Sequence, residues 1–367
     1  MTRRIQDLCT PALLLDLDVF EANLARLTDT LAPTGCGFRP HVKTHKCPEI
    51  ARRQRQAGAL GVSAATVDEA AGMVAAGIGG VHVTSPVVTP EKLSRLVAMT
   101  KTAPDLMMVV DHADGAAALD AAARAAGVTL NVLVDLDVGD CRTGIEPGPP
   151  ALDLARQVVA AEGLRFRGLQ AYAGIASHVV GFDERVEASR SLMGKAVETR
   201  RLIERDGIEV EILSGGSTGT YNIDCTIDGV TELQVGSFVF MDVDYMRIGG
   251  KFGAVYDDFA PALTVLSAVV SVNRPGQVSI DAGIKSFSTE TEFAPQPVGI
   301  EGVRYEIFGD EFGMLHLDNP SRPIGLGDKV RFVTPHCDPT VNLYDRLYCT
   351  RGDEVVDTWP IIARREA

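Results

Sequence analysis

Short apolar runs alternate with amphipathic stretches from Leu31 to about residue 246. The apolar runs have the length of buried strands. They are FRPHVKT (38–44), GVSAA (61–65), VHVT (81–84), LMMVV (106–110), NVLVDLD (131–137), RGLQAYA (167–173), VEILS (210–214) and LQVGSFVF (233–240). Apolar residues recur at helical spacing between them, as in PEIARRQRQAG (48–58), VDEAAGMVAAG (67–77), PEKLSRLVAMT (90–100) and ALDLARQVVAAEG (151–163). This alternation predicts parallel strands with crossover helices, and eight such units fit a (β/α)8 barrel. A doubly wound open sheet is the alternative, but no phosphate fingerprint follows the first strand.

The pattern changes after about residue 255, where strand-like runs are separated by Gly, Pro and Asn turns. The runs are ALTVLSAVVSVN, QVSIDAG, VRYEIFG, KVRFVTP and EVVDTWP. They predict an all-β C-terminal domain. The opening TPALLLDLD is also strand-like, and we expect it to join that domain. The predicted division is therefore a barrel over 18–250 and a β domain formed by 1–17 and 251–367.

The charge and the cysteine content disfavour nucleic-acid-binding, membrane-spanning and disulfide-rich classes of protein. The 367 residues carry a net charge of −14 without a basic cluster, which disfavours a nucleic-acid surface. No apolar run reaches about 18 residues, and Asp16 and Asp18 interrupt the first one, so neither a signal peptide nor a membrane span is expected. The seven cysteines form no CxxC pair, which favours a reducing, cytoplasmic location over a disulfide framework or a zinc ribbon.

A lysine-rich segment, RPHVKTHK (39–46), ends the first predicted strand. Barrel enzymes carry their chemistry at the C-terminal ends of the strands. A lysine placed there among other cations can have a depressed pKa and act as a nucleophilic amine. Taken alone, however, Lys43 and Lys46 are more simply interpreted as solvated loop cations, because lysines are mostly exposed.

A glycine-rich segment, SGGSTGT (214–220), follows the seventh predicted strand. Its glycines allow the backbone to approach an anion, and its hydroxyls and N–H groups can cradle a phosphate. Phosphate sites in barrels commonly follow strands seven and eight. A flexible turn that caps a helix is the other interpretation of the same residues.

The run TPALLLDLDVFEANLARL, followed by RPHVKTHK, resembles the start of the fold-type III pyridoxal-5′-phosphate (PLP) enzymes. Within these it is similar to the D-threonine aldolase and D-serine dehydratase group, which is related to alanine racemase. The resemblance covers essentially the whole chain. It implies an N-terminal PLP barrel with a C-terminal β domain, with Lys43 as the Schiff-base lysine. It also implies that Gly216, Ser217 and Thr218 hold the phosphate.

The same resemblance implies further residues around the cofactor ring. Arg142, in DLDVGDCRTG, would contact the phenolic oxygen of PLP, although an arginine in this acidic loop could equally pair with Asp137 or Asp140. Tyr172 would lie near the pyridine nitrogen, and Gln170 alternates with it on the same face of the strand. His178 would act as a general base. A less firm group near the phosphate consists of Gln234, Gly236 and Ser237.

A candidate metal pair lies in TPHCDPTVNLYD (334–345). If this segment is extended, His336 and Asp338 project from one face and Cys337 from the other. In the resembling family, dehydratases carry His-x-Cys and aldolases carry His-x-Asp. The carboxylate favours Mn²⁺ or Mg²⁺, with Zn²⁺ as the alternative if Cys337 enters the coordination shell. Lys285, with Asp281 in DAGIKSFSTE (281–290), is the rival Schiff-base lysine.

The expected function is the cleavage of a small D-β-hydroxy amino acid, of the D-threonine type, to glycine and an aldehyde. A cytoplasmic homodimer with no nucleic-acid or membrane partner is expected. A dehydratase that yields a 2-oxo acid and ammonia uses the same residues and is the main alternative. An amino-acid racemase and a non-catalytic PLP carrier are further alternatives. A metal-dependent barrel hydrolase would need a cluster drawn from His82, Asp135 and Asp137.

Overall fold

The structure, a computed structural model, describes residues 3–364 and divides into two compact units. The unit that we call the barrel unit contains Leu27–Gly236 together with the chain from Ile362 onward. The unit that we call the β unit contains the chain up to Arg26 together with Ser237–Ile361. From the sequence we predicted a barrel over 18–250 and a β domain over 1–17 with 251–367. These domain limits stay a prediction.

The barrel unit is built on a sheet of eight parallel strands. They are β2 (Gly37–Phe38), β3 (Val62–Ala64), β4 (Val81–Val83), β5 (Met107–Val110), β6 (Leu130–Asp135), β7 (Leu164–Ala171), β8 (Ile212–Gly215) and β9 (Glu232–Leu233). Their order is β2-β9-β8-β7-β6-β5-β4-β3. A parallel bridge between His41 and Ser63 links the residues after β2 to β3. The predicted (β/α)8 barrel is confirmed.

Amphipathic helices connect these strands, as their hydrophobic spacing predicted. Over residues 3–364, the α-helices of both units are α1 (Leu17–Leu31), α2 (Pro48–Gln56), α3 (Val67–Ala75), α4 (Pro90–Thr100), α5 (Ala113–Ala126), α6 (Pro149–Ala160), α7 (Gly174–Ser177), α8 (Phe182–Arg205), α9 (Tyr221–Asp224), α10 (Val243–Met246) and α11 (Cys337–Val341). Proline opens α2, α4 and α6, where a missing N–H costs nothing. At Gly127 a left-handed glycine ends α5.

Two predicted strands are much shorter than expected. The segment 38–44 forms strand only to Phe38, and Val42–Thr44 is a 3₁₀ turn. The reason is local, since Pro40 has no N–H for a ladder and the His41 side chain accepts a hydrogen bond from the turn. Similarly, 233–240 leaves the sheet after Leu233 and turns at Ser237–Val239. Both changes place irregular backbone directly after a barrel strand.

The β unit is dominated by strands, which confirms the all-β character predicted after residue 255. The strands are β1 (Ala12–Asp16), β10 (Leu263–Arg274), β11 (Gln277–Ile280), β12 (Gln296–Pro297), β13 (Val303–Ile307), β14 (Gly313–Leu317), β15 (Lys329–Val333), β16 (Arg346–Arg351) and β17 (Glu354–Pro360). The N-terminal β1 lies between β10 and β16. Phe287, Tyr305 and Phe332 pack edge to face in its core, with ring centroids 5.4–5.9 Å apart.

Candidate active site

Lys43 lies in the 3₁₀ turn Val42–Thr44, directly after the first barrel strand. The His41 Nδ1 accepts a hydrogen bond from the Lys43 main-chain N–H at 3.3 Å. The His41 Nε2 lies 3.2 Å from the Thr84 Oγ1, whose hydroxyl donates to the Ala64 carbonyl. Because that hydroxyl proton is committed to the carbonyl, Nε2 is the donor to Thr84 and Nδ1 is an acceptor. The half-buried Lys43 is thus held by a neutral histidine.

Lys285 is the rival of Lys43 in the sequence, and both Lys285 and the neighbouring Lys46 are ion-paired in the structure. The Lys46 Nζ contacts the Glu69 carboxylate, which is almost fully buried. The Lys285 Nζ lies 2.5 Å from the Glu311 Oε1, and the hydrogen bond to Glu311 raises the lysine pKa. A nucleophilic amine must be neutral, so an ion pair disfavours both as the Schiff-base lysine. Lys43 stays the candidate.

A cleft at the ends of β6 and β7 brings together three of the predicted ring contacts. It is lined by Arg142, Gln170 and Tyr172, among others. The guanidinium carbon of Arg142 lies 5.3 Å from the centroid of the Tyr172 ring, within cation–π range. The Asp140 carboxylate accepts the N–H groups of Gly174 and Ile175 at 3.1 and 3.0 Å, which ties the two loops together.

Gln170 differs from the expectation in how its amide is used. The Gln170 Nε2 donates to the Asp135 Oδ1 at 2.7 Å and to the Thr84 carbonyl at 2.9 Å. Its Oε1 accepts from the Gln234 Nε2 at 3.1 Å. Protein groups therefore take up both amide protons, and Gln170 lines the cleft as part of a buried polar network. Burial raises the pKa of Asp135 in this network to about 6, against hydrogen bonds from Gln170 and Thr143 that favour its ionised form.

The predicted phosphate cradle follows β8 and is shaped by glycines. Gly216 has a φ of +71°, and a Cβ there would lie 2.8 Å from the Leu233 side chain and 2.9 Å from the Asp224 Oδ2. The Ser217 N–H donates to the Thr220 Oγ1 at 3.2 Å, and the Thr220 hydroxyl donates to Asp224 at 2.5 Å. The loop is therefore folded tightly enough that position 216 admits only glycine.

Buried residues that the sequence analysis missed hold this loop from α8. The Arg185 Nε donates to the Gly219 carbonyl at 2.8 Å, and the Ser189 hydroxyl donates to the Asp224 carboxylate. Burial raises the pKa of Asp224 to about 6 despite these hydroxyl donors. Arg185 and Ser189 lie in an ordinary helical pattern far from the loop in sequence, so no local signal marked them.

The residues around the cradle fit a phosphate-bearing cofactor. Within residues 3–364, the buried Thr44 hydroxyl has no hydrogen-bond partner. A Cβ on Gly236 would come within 2.7 Å of that hydroxyl, so a polar side chain and a bare glycine backbone lie side by side after the first and last barrel strands. His178 is half-buried and ends the short helix α7 after β7. The roles of these residues toward PLP stay predictions.

The metal pair lies in the β unit, and its expected backbone geometry was wrong. His336 is extended, with φ −141° and ψ 128°, but α11 begins at Cys337 and contains Asp338. The segment is therefore not a strand with His336 and Asp338 on one face. The Asp242 carboxylate causes this by accepting the Cys337 N–H at 2.9 Å. Cys337 is fully buried, and its thiol lies 3.4 Å from the Asp338 Oδ1.

Two carboxylates near His336 were not predicted as site residues. Asp242 is fully buried and also accepts the Tyr245 N–H at 3.0 Å, while Glu290 Oε1 lies 2.7 Å from the His336 Nδ1. Burial raises the pKa of Asp242. The carboxylate favours a harder ion such as Mn²⁺ or Mg²⁺, and the imidazole also suits Zn²⁺, so the identity of the metal stays a prediction. Across residues 3–364 there is no group of three or more His, Cys, Asp or Glu side chains arranged to hold a metal, so the pair His336 and Asp338 would need water or substrate to complete a shell.

Two other residues named from the sequence, Asp281 and His82, have surroundings that are explained by the fold itself. Asp281 accepts hydrogen bonds from the Ser267 hydroxyl, the Ala268 N–H and the Thr10 hydroxyl inside the β unit. His82 is fully buried in β4, and burial lowers its pKa to about 3, so it is neutral. In the described part of the chain, no helix has the length and apolar content of a membrane span.

Comparison with known families gives two adjacent matches along the chain. The model of the alanine racemase N-terminal domain matches residues 15–244. The model of a serine dehydratase domain matches residues 262–350. Both domains expected from the resemblance of the N-terminal motifs are therefore present.

Characterised relatives match over almost the full length. The chain is 38% identical to a D-threonine aldolase from Arthrobacter sp. over 97% of this chain and 92% of that protein. It is 34% identical to a 3-hydroxy-D-aspartate aldolase from Paracoccus denitrificans over 97% and 92%. A D-threo-3-hydroxyaspartate dehydratase from Delftia sp. is 31% identical over 95% and 96%. The crystal structure of a D-threonine aldolase from Filomicrobium marinum superposes with a TM-score of 0.95 at 39% identity, covering 99% of this chain and 98% of that one.

Proposed function

The chain belongs to the alanine racemase N-terminal domain family, and on that premise we propose that it is a lyase that cleaves the Cα–Cβ bond of D-β-hydroxy amino acids. The products are glycine and an aldehyde, and the cofactors are PLP and a divalent metal ion. The observation that carries this proposal is the full-length similarity to D-threonine and 3-hydroxy-D-aspartate aldolases. The carboxylate of Asp338, in place of a thiol, supports the same class.

In the barrel unit, each proposed residue has a distinct task. PLP supplies an electron sink for the bond that breaks, and the protein chooses that bond by orientation. Lys43 offers the amine that binds the cofactor covalently. Gly216, Ser217 and Thr218 would hold the phosphate with hydroxyl and N–H groups. Arg142 donates to the phenolic oxygen, and the Asp140 contacts hold the Arg142 and Tyr172 loops together.

The proton and metal chemistry falls to three further residues. His178 accepts the proton of the substrate β-hydroxyl as a general base. His336 and Asp338 would hold the metal ion, which would supply Lewis-acid chemistry. Mn²⁺ or Mg²⁺ suits this donor set better than Zn²⁺, since Cys337 is buried with a pKa raised well above its ordinary value.

The strongest rival is a dehydratase, which is favoured by the similarity to the Delftia enzyme. In that reaction the Cα–H bond breaks and the hydroxyl leaves, so a 2-oxo acid and ammonia appear. The location and assembly proposed with this function are cytoplasmic and homodimeric. Seven free cysteines support a reducing compartment.

Removal of the metal tests the proposed function. We expect the PLP-loaded protein with D-threonine to form glycine, and EDTA to reduce that rate to background, because chelation removes the ion that His336 and Asp338 would hold. Added Mn²⁺ should restore the rate, and L-threonine is the control substrate that should give none. Glycine formation that survives exhaustive chelation would remove the metal from the proposal.

A further inference from the structure

The His336 imidazole has a specific carboxylate partner, Glu290. The Nδ1 of His336 lies 2.7 Å from the Glu290 Oε1, and both side chains are partly exposed. His336 is one of the two metal donors in the proposed function, so a role for Glu290 rests on that proposal. The contact joins residues that are far apart in sequence. Either the packing of the two segments fixes it, or it is a chance contact of an exposed, flexible side chain.

Main-chain contacts beside Glu290 show that the fold builds this pair. The Ser288 hydroxyl accepts the His336 N–H and donates to the His336 carbonyl, each at 3.2 Å. The Ser288 N–H donates to the Thr340 Oγ1 at 3.0 Å, and the Thr340 hydroxyl donates to the His336 carbonyl at 2.7 Å. The segment that ends at Glu290 is therefore fastened to the turn that presents His336.

The chemistry of the pair fixes which imidazole nitrogen faces a metal. An ionised carboxylate can only accept hydrogen bonds, so Nδ1 must carry the proton. In the neutral imidazole with Nδ1 protonated, the lone pair of Nε2 is available as a ligand. Metal-bound histidines typically donate their other N–H to a carboxylate or carbonyl, which sets the ring orientation and raises the basicity of the ligating nitrogen.

We propose that Glu290 is a positioning residue for the divalent metal ion. It holds the tautomer and the ring plane of His336 so that Nε2 is presented to the metal, and it is not itself a ligand. Asp338 is held separately by its position in α11. Loss of Glu290 should therefore weaken metal binding without removing it.

The β unit contains a second pair with the same chemistry, which provides a matched control. His316 Nε2 lies 2.6 Å from the Glu306 Oε2, and Glu306 is about as exposed as Glu290. These residues lie on the paired strands β13 and β14. Removing the Glu306 carboxylate should alter the same kind of surface pair with no effect on the metal.

The experiment measures Mn²⁺ affinity directly, by titration calorimetry or by paramagnetic resonance of free Mn²⁺, on the PLP-loaded protein without substrate. We expect Glu290→Ala to raise the Mn²⁺ Kd by about 10–100-fold. Glu290→Gln should fall between it and the parent protein, because its amide oxygen still accepts the Nδ1 proton but carries no charge. Glu306→Ala should match the parent protein, and His336→Ala should lose the site.

Each outcome has a separate meaning. An unchanged Kd in Glu290→Ala, together with loss of binding in His336→Ala, overturns the role of Glu290 and leaves the metal pair standing. Unchanged binding in His336→Ala overturns both. The proposal is supported if the Mn²⁺ Kd rises in Glu290→Ala and recovers partly in Glu290→Gln, while the PLP absorbance and the melting temperature stay unaltered. General misfolding would change the Kd, the absorbance and the melting temperature together.

Discussion

Lys43→Ala is expected to remove the absorbance band of lysine-bound PLP and to abolish cleavage of D-threonine. The reason is positional, since Lys43 directly follows the first barrel strand, where barrel enzymes carry their chemistry, whereas the neighbouring Lys46 and the rival Lys285 are each held in an ion pair. Lys46 contacts Glu69, and Lys285 contacts Glu311. The measurement is the visible spectrum of the purified variant after reconstitution with PLP, followed by glycine assay.

The matched control is Lys285→Ala. Its partner Glu311 is exposed and the pair lies on the surface, so the spectrum and the rate of this variant should equal those of the parent protein. A band that persists in Lys43→Ala and disappears in Lys285→Ala would transfer the covalent role to the β unit. The assignment of cofactor binding to the barrel unit would then be wrong.

Glu232→Gln is expected to destabilise the barrel unit by about 3–5 kcal/mol, the usual cost of removing one partner from a buried ion pair. Both nitrogens of the Arg39 fork contact the Glu232 carboxylate at 2.9 Å, and the two side chains are 7% and 2% exposed. Burial alone would raise the pKa of Glu232, but Arg39 holds it below its ordinary value. Neutralising Glu232 leaves the guanidinium buried without a counter-charge. Denaturant unfolding measures the loss.

Glu211→Gln is the control for that prediction. Arg167 and Glu211 form an even shorter contact of 2.6 Å, but their side chains are 26% and 35% exposed. Surface pairs typically contribute about 0.2–1 kcal/mol, so this variant should lose little stability. Equal losses in the two variants would mean that solvent or backbone groups already compensate Arg39, and the buried pair would not be a main support of the barrel.

The strands and helices of the barrel could be predicted from the sequence, because buried parallel strands appear as short apolar runs and amphipathic helices place apolar residues at helical spacing. All eight barrel strands were found in this way. The end of the first strand could not be found, because contacts of the His41 side chain decide it. His41 caps the turn that carries Lys43, and this depends on Thr84, which is distant in sequence.

The candidate site was predictable where a motif is local and not where it depends on the tertiary fold. Lys43 and the glycine loop are contiguous motifs. The extended backbone expected at His336 and Asp338 was wrong, because the buried Asp242 accepts the Cys337 N–H and a helix begins there. Glu290 had no signal at all, because its partner lies 46 residues further on. The hydrogen bonds of the Gln170 amide to Asp135 and the Thr84 carbonyl could not be predicted, because they join residues at the ends of different barrel strands.

The product ratio from D-threonine, determined in one reaction with the purified protein, PLP and Mn²⁺, decides whether this protein is an aldolase. We predict glycine and acetaldehyde in equal amounts, with no 2-oxobutanoate or ammonia, because the Cα–Cβ bond is the one that breaks. Formation of 2-oxobutanoate and ammonia instead would contradict the aldolase assignment. The protein would then be a dehydratase, and the carboxylate of Asp338 would not distinguish the two reactions.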